Sequence, residues 1–79
     1  MEKSQHTAAY RRLVEALRQA REDAGLTQQQ VADRLELYAS FVSKVESGER
    51  RLDVVELAAF CEAYGVSLVD LLRQAGLCG

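Results

Sequence analysis

Apolar residues recur along this chain at the three- and four-residue spacing of helices, in five separate stretches. Glycines and short polar segments divide the stretches, and none alternates regularly between apolar and polar residues as a strand would. The pattern therefore predicts an all-α chain of five helices. For the fourth helix, the predicted core stripe consists of Val54, Leu57, Ala58, Cys61 and Tyr64.

Residue pairs at the ends of these stretches predict the helix boundaries. A Thr, Ser or Asp followed three residues later by Gln, Glu or Asp is typical of a capping box, in which two side chains satisfy free amides at a helix start. Such pairs are Thr27 with Gln30, Asp53 with Glu56, and Ser67 with Asp70. Glycines at 25, 48, 65 and 76 are placed to end helices. The third helix is thus predicted at 39–47, after a turn at 36–38.

The chain has 79 residues, of which 48% are hydrophobic and 28% are charged, which is enough apolar content for one core. We expect a single domain over residues 1–79, with residues 1–6 flexible. No apolar run approaches the ~20 residues that span a bilayer, and the first residues lack the apolar stretch of a secretion signal. These features predict a cytoplasmic protein that does not bind membranes.

Catalytic and metal-binding chemistry have little support in the sequence. Cys61 and Cys78 are far apart, with no second cysteine or histidine at ligand spacing, and the single histidine is His6. There is no glycine-rich phosphate loop. We expect no metal, no cofactor and no enzymatic activity, with Cys61 as a small buried apolar residue.

The net charge of -2 is unfavourable for a nucleic-acid partner, because Lys and Arg supply most non-specific affinity for phosphates. The charges are unevenly distributed, however. Residues 1–51 contain nine Lys or Arg and eight Asp or Glu, whereas residues 52–79 contain one and four. This asymmetry is compatible with a modestly basic face on the first part of the domain and an acidic back.

Two short predicted helices joined by a three-residue turn can place the second helix in the DNA major groove. The segment LTQQQVADRLELYASFVSKVESGER, together with the later VSLVDLL, resembles the phage repressor and Cro-like helix-turn-helix family of transcriptional regulators. The resemblance covers about residues 13–72. It implies a compact five-helix, lambda-repressor-like DNA-binding domain with its helix-turn-helix at residues 28–47 and double-stranded DNA as the partner.

The resemblance also implies roles for individual residues. The positions that it implies for approach to base edges are Ala39, Ser40, Phe41 and Lys44. Those expected to contact the phosphate backbone are Gln28, Ser43, Ser47, Arg50 and Arg51. Lys44 is the expected reader of guanine, because lysine can donate to the guanine acceptors in the major groove. For Ser43 and Ser47, a solvated helix face is an equal alternative.

Phe41 has two interpretations. On a helical wheel it lies between the apolar stripe of the third helix and Lys44. Its ring would either complete the core or press against a thymine methyl group. We expect partial exposure near DNA.

Arg21 falls in the middle of the predicted apolar stripe of the first helix, where a charge needs a partner. Glu46 borders the apolar side of the third helix, and in the resembled family these positions commonly form an interhelical ion pair. We expect this pair here. The alternative is that the guanidinium of Arg21 reaches solvent along its flexible stem.

Three residues depart from the pattern of the resembled family. Glu36 stands where glycine is usual in the turn, and Tyr38 stands where a small capping residue is usual. Ala39 replaces the long amide of many relatives. Its short side chain removes a donor to the bases and shifts the expected readout to Lys44, Ser40 and the phosphate contacts.

A second apolar line follows the fourth helix opposite its predicted core stripe. The line consists of Val55, Ala59 and Ala63, and Val69 lies outside the stripe of the fifth helix. We expect Val55, Ala59 and Val69 to form a homodimer interface, because a twofold dimer would read a palindromic operator. The alternative is that they are scattered surface residues of a monomer.

Two functions are consistent with these patterns. The first is a repressor or controller that binds an operator as a dimer. The alternative is a protein-interaction module or antitoxin-like adaptor that keeps the fold with weak or no specific DNA binding. The net negative charge and Glu36 favour this alternative. Loss of DNA binding on substitution of Lys44 or Arg50 would favour the first.

Overall fold

A computed structural model describes residues 7–78 of the chain. This part contains five helices and no strand, so the predicted all-α five-helix fold is confirmed. In chain order the helices are α1 (Ala8–Asp23), α2 (Gln28–Leu35), α3 (Ala39–Ser47), α4 (Val54–Tyr64) and α5 (Leu68–Gln74). The expected flexibility of residues 1–6 concerns residues outside the described part.

The helix starts follow from the predicted capping residues. Thr27 and Asp53 each accept a hydrogen bond from the third backbone amide of their helix. The Gln or Glu three residues later accepts from the amide of the capping residue in return, so both capping boxes are confirmed. At α5, the Oγ of Ser67 accepts from the amide of Asp70 at 3.0 Å. These bonds satisfy amides that a helix start otherwise leaves without partners.

One core joins the five helices, because α1 packs on α3, α4 and α5 while α2 packs on α3 and α4. Burial of large apolar side chains is the main stabilising contribution to a domain of this size. The largest fully buried side chains are Leu17, Val31, Val42, Val45, Phe60 and Leu71. The two valines among them on α3 fix that helix to the body by one face.

The predicted core stripe of α4 is partly wrong. Val54 and Ala58 are exposed, whereas Phe60, which the stripe omits, is buried. Phe60 packs edge to face against Tyr64, with ring centroids 6.2 Å apart. The buried face of α4 thus consists of Leu57, Phe60, Cys61 and Tyr64, and Ala58 lies on its solvent side.

The hydroxyl of Tyr64 is a buried polar group that has no hydrogen-bond partner among residues 7–78. Burial raises the pKa of this phenol, and the nearby Glu46 carboxylate raises it further. A buried hydroxyl without a partner costs free energy, since it gives up its hydrogen bonds to water on folding. Tyr64 therefore stabilises the core through its ring and weakens it through its oxygen.

Replacing Tyr64 with phenylalanine is expected to raise the free energy of unfolding by about 1 kcal/mol at pH 7. The gain should grow above about pH 10, because the phenol ionises in the unfolded chain there and only at higher pH in the fold. Urea denaturation at pH 7 and at alkaline pH measures both effects.

Tyr10→Phe is the matched control for this substitution. The hydroxyl of Tyr10 accepts a hydrogen bond from the amide of Leu52 at 3.1 Å, so its removal should cost about 1 kcal/mol at pH 7. A Tyr64→Phe variant that loses stability as the Tyr10→Phe variant does would show that the hydroxyl of Tyr64 has a partner.

Candidate nucleic-acid interface

α2, the turn at 36–38 and α3 form the helix-turn-helix. Glu36 ends α2 in the left-handed conformation, with φ 57 and ψ 46, and is the one non-glycine residue with positive φ in the described chain. The amide of Leu37 donates to the carbonyl of Ala32 at 2.8 Å, which closes the end of α2. Tyr38 precedes α3 without a side-chain capping bond, and it is 84% exposed.

Glu36→Gly is expected to stabilise the protein by about 0.5–1 kcal/mol, since a left-handed backbone is strained for a residue with a Cβ atom and not for glycine. The greater freedom of glycine in the unfolded chain offsets part of the gain. Thermal or urea denaturation measures the difference.

Gly48→Ala is the control for the Glu36→Gly prediction, because Gly48 also has a left-handed backbone. Gly48 ends α3 at φ 85, and a Cβ atom there would meet no other atom within 4 Å, so its substitution tests backbone strain alone. We expect this variant to lose about 1 kcal/mol. A Glu36→Gly variant that also loses stability would show that the side chain of Glu36 supports the turn.

The outer face of α3 is polar and carries no large apolar side chain. Val42 and Val45 are fully buried beneath it, whereas Ser40, Ser43 and Lys44 are exposed. Within residues 7–78, no carboxylate pairs with the ammonium group of Lys44. The helix therefore presents short hydroxyl side chains and one unpaired cation to a ligand in front of it.

Arg21 and Glu46 form a two-pronged ion pair between α1 and α3. Nε and Nη2 of Arg21 donate to the two carboxylate oxygens of Glu46 at 2.6 and 3.0 Å. The side chains are only 12% and 5% exposed, and Nη1 of Arg21 donates to the carbonyl of Leu26 at 2.8 Å. The hydrogen bond to Glu46 raises the pKa of Arg21. The guanidinium is thus held in the protein and does not extend into solvent.

Gln28 joins this ion pair from the first turn of α2. Its Nε2 donates to Oε1 of Glu46 at 3.0 Å. A side-chain amide has two N–H donors, so one remains for a ligand such as a phosphate. Glu46 consequently connects the helix that carries Gln28 to the helix that carries the outer polar face.

A shallow polar cleft of about 320 Å³ lies beside Gln28, where α1, α2 and α3 meet. Sequence reasoning missed Arg18, which lines this cleft and is paired with Glu22 at 3.4 Å. Its position three residues before Arg21 on the same face of α1 could have revealed it. The residues around the cleft are Arg18, Arg21, Gln28, Ser43, Glu46 and Ser47.

Ala39 and Phe41, both expected to approach bases, are turned partly inward. Each is half-buried against the core. The ring of Phe41 stacks on Phe60 with 6.4 Å between centroids, and the guanidinium carbon of Arg50 lies 4.4 Å from its centroid. The structure thus gives the ring of Phe41 an apolar partner on α4, as the core interpretation expects, and leaves the residue partly exposed, so its approach to DNA stays a prediction.

Arg50 and Arg51 are exposed, but their guanidinium groups already contact the protein. Nη2 of Arg50 donates to Oε2 of Glu56 at 3.0 Å. The guanidinium carbon of Arg51 lies 4.3 Å from the ring centroid of Tyr10. Both side chains are thus held near the end of α3, and neither is a free cation like Lys44.

Ser47 is also engaged within the protein. Its Oγ donates to the carbonyl of Lys44 at 3.0 Å and accepts from the amide of Glu49 at 3.4 Å. The amide of Arg50 donates to the same Lys44 carbonyl at 3.1 Å. These bonds tie the segment after α3 to its last turn.

The three residues of the expected dimer surface, and Ala63 on the same apolar line of α4, differ in exposure. Val55 and Val69 are 75% and 50% exposed, and each is the second residue of its helix, α4 and α5 respectively. Ala63 packs against the core, and Nη1 of Arg34 donates to its carbonyl at 3.1 Å. Ala63 therefore belongs to the contact between α2 and α4, while Ala59 is half-buried.

Other chemistry is sparse in the described part of the chain. No three His, Cys, Asp or Glu side chains between residues 7 and 78 come together as a metal site. Cys61 is buried, which raises the pKa of its thiol, and Cys78 is exposed. No helix in this range is long and apolar enough to cross a membrane.

A short helix fixed by its apolar face, preceded by a second helix across a tight turn and presenting a polar face to solvent, is the architecture of a helix-turn-helix DNA-binding domain. The profile of the family described as "Helix-turn-helix domain" matches residues 12–75. The chain belongs to this family, which is one of DNA-binding transcriptional regulators.

Solved structures agree with this assignment. An XRE-family like protein from Pseudomonas syringae pv. tomato str. DC3000 is similar at 45% identity and a TM-score of 0.83, with 90% of this chain and 87% of that chain covered. The clp gene regulator ClgR from Corynebacterium glutamicum is similar at 31% identity and a TM-score of 0.79, with 86% and 87% covered. No curated protein sequence matches the chain.

Proposed function

We propose that this protein is a sequence-specific transcriptional regulator of repressor or controller type that places α3 in the major groove of its operator. One observation carries the proposal: the polar face of α3 is exposed while its two valines are fully buried. The major groove admits a single helix, and serine side chains are short enough for the helix backbone to come close to the bases.

In the proposed complex, Lys44 donates to the acceptors of a guanine, and Ser40 bonds to a neighbouring base. The phosphate contacts come from both sides of α3. Gln28 lies on the side of α1 and α2, beside the polar cleft with Ser43 and Ser47. On the other side, toward α4, is Arg50, while the guanidinium of Arg51 lies over the ring of Tyr10 in α1. We propose that Gln28 and Arg50 contact the two strands that border one groove and that Arg51 adds a further phosphate contact.

We also propose that the regulator acts as a twofold homodimer with Val55, Ala59 and Val69 in its interface. The exposure of Val55 and Val69 supports this, because both apolar side chains are accessible to a second copy of the chain. Two recognition helices would then lie about 34 Å apart, which is one turn of DNA. A monomer mass from light scattering at high protein concentration would contradict the dimer.

Selection of bound sequences from a random DNA pool tests the proposed function directly. We expect a palindromic sequence with a guanine in each half-site, separated by about one DNA turn. Recovery of unrelated sequences with no enrichment would contradict sequence-specific binding.

A protein-interaction module is the second candidate. An apolar cleft of about 180 Å³, lined by Leu35, Leu37, Phe41, Ala59 and their neighbours, favours it. A gel-shift titration with a mixed-sequence duplex at low salt separates the candidates. A DNA-binding regulator retains salt-dependent affinity for any duplex, whereas an interaction module is indifferent to DNA.

A further inference from the structure

Glu56 serves two neighbours at once in the first turn of α4. Its Oε1 accepts from the amide of Asp53 at 3.0 Å and completes the capping box of the helix. Its Oε2 accepts from Nη2 of Arg50 at 3.0 Å. The carboxylate therefore belongs to the start of α4 and also to the segment that follows α3.

The guanidinium of Arg50 is enclosed from two directions. The ring of Phe41 covers one side of it at 4.4 Å, and the carboxylate of Glu56 binds an edge. The side chains of Arg50 and Glu56 are 43% and 32% exposed, so both can be reached by a ligand. At the place where Arg50 would meet a phosphate, the protein thus presents a neutral pair and not a single positive charge.

We propose that Glu56 limits the affinity of this protein for DNA by competing with phosphate for Arg50. The inference rests on the phosphate contact proposed for Arg50. Glu56 does not contact DNA itself and acts through Arg50 as a positioning residue. A carboxylate and a phosphate bind a guanidinium in the same way, because both offer oxygens that match its paired N–H donors. A phosphate that binds Arg50 must therefore displace or weaken the existing hydrogen bond between Arg50 and Glu56.

Glu56→Gln separates the charge of Glu56 from its capping role. A glutamine oxygen can accept from the amide of Asp53 as the glutamate does, and this chain already uses Gln30 in that role for the capping box of α2. The variant should fold as the wild type does, with a similar thermal midpoint. Glu56→Ala removes charge and cap together, so it should bind DNA as Glu56→Gln does and melt at a lower temperature.

The experiment measures the binding of a mixed-sequence duplex of about 20 base pairs by fluorescence anisotropy at several salt concentrations between about 50 and 200 mM. At ~100 mM salt we expect Glu56→Gln to bind about three- to tenfold more tightly than wild type, with the slope of log K against log salt steeper by up to ~0.9. In an Arg50→Ala background, Glu56→Gln should raise the affinity for DNA by no more than the control substitution Glu49→Gln does.

Glu49→Gln is the control for a general loss of negative charge. Glu49 is exposed, adjacent to Arg50 in sequence, and in no ion pair within residues 7–78. Its Oε2 accepts a long hydrogen bond of 3.4 Å from the Oγ of Ser47, which the oxygen of a glutamine can also accept. Its substitution should change affinity by less than about twofold at ~100 mM salt, where exposed charges are screened.

Four results would overturn the inference. Weaker binding by Glu56→Gln would mean that the carboxylate holds Arg50 in place for DNA, and an equal gain in the Arg50→Ala background would mean a general charge effect. If the wild type binds DNA and Glu56→Gln binds it with the same affinity, the inference is refuted and the proposed function stays intact. Failure of the wild type to bind any duplex would refute both.

Discussion

Replacing Arg21 with alanine is expected to lower the free energy of unfolding by about 3 kcal/mol or more. The carboxylate of Glu46 is 5% exposed and would keep only the hydrogen bond from Gln28. The carbonyl of Leu26 would lose its side-chain donor as well. A buried charge without its counterion is costly because neither water nor the protein replaces the lost interaction. Urea denaturation at pH 7 measures the loss.

Arg18→Ala is the matched control for this prediction. Arg18 lies one turn earlier in the same helix, and its pairs with Glu15 and Glu22, at 3.8 and 3.4 Å, are exposed. Exposed pairs contribute little, so the control should lose no more than about 0.5–1 kcal/mol. Similar losses for the two variants would show that the buried ion pair adds nothing beyond the packing of an arginine stem on α1.

Replacing Lys44 with alanine is expected to weaken binding to the selected operator by about tenfold or more, because one guanine contact is worth ~1–3 kcal/mol. The ammonium group makes no ion pair within residues 7–78, so its removal should leave the free energy of unfolding unchanged. Anisotropy titrations with operator and with a half-site variant that lacks the guanine measure the effect.

Two further variants define what Lys44 does. Lys44→Arg should keep the preference for guanine, since arginine reads the same acceptors. Arg73→Ala removes an exposed cation from α5, which supplies none of the proposed DNA contacts, and should change affinity by less than about twofold. A Lys44→Ala variant that loses the same factor on every duplex would place the lysine on a phosphate and not on a base.

Much of the fold follows from local features of the sequence. Thr27 and Asp53 predict where α2 and α4 begin, since a capping box depends only on residues three apart. The buried face of α4 is less predictable. Alanine at 58 and phenylalanine at 60 are both apolar, and the choice between them depends on Phe41 of another helix, which a wheel for a single helix does not contain.

The same distinction applies to the candidate interface. The exposure of Ser40, Ser43 and Lys44 follows from the period of α3 alone. The partner of Arg50 could not be predicted, because the bond to Glu56 depends on the path of the segment between α3 and α4. The engagement of Gln28 by Glu46 likewise joins residues of two helices and has no local signature.

The contacts of Glu46 have a consequence for how the protein would lie on DNA. One carboxylate holds Gln28 of α2 and Arg21 of α1, and its own backbone belongs to α3. In the proposed complex, the distance from the phosphate contact at Gln28 to the base-contacting side chains Ser40 and Lys44 is consequently fixed before DNA binds. A duplex whose groove is too wide or too narrow for that fixed span must deform to be bound, so operators would be distinguished by stiffness as well as by bases.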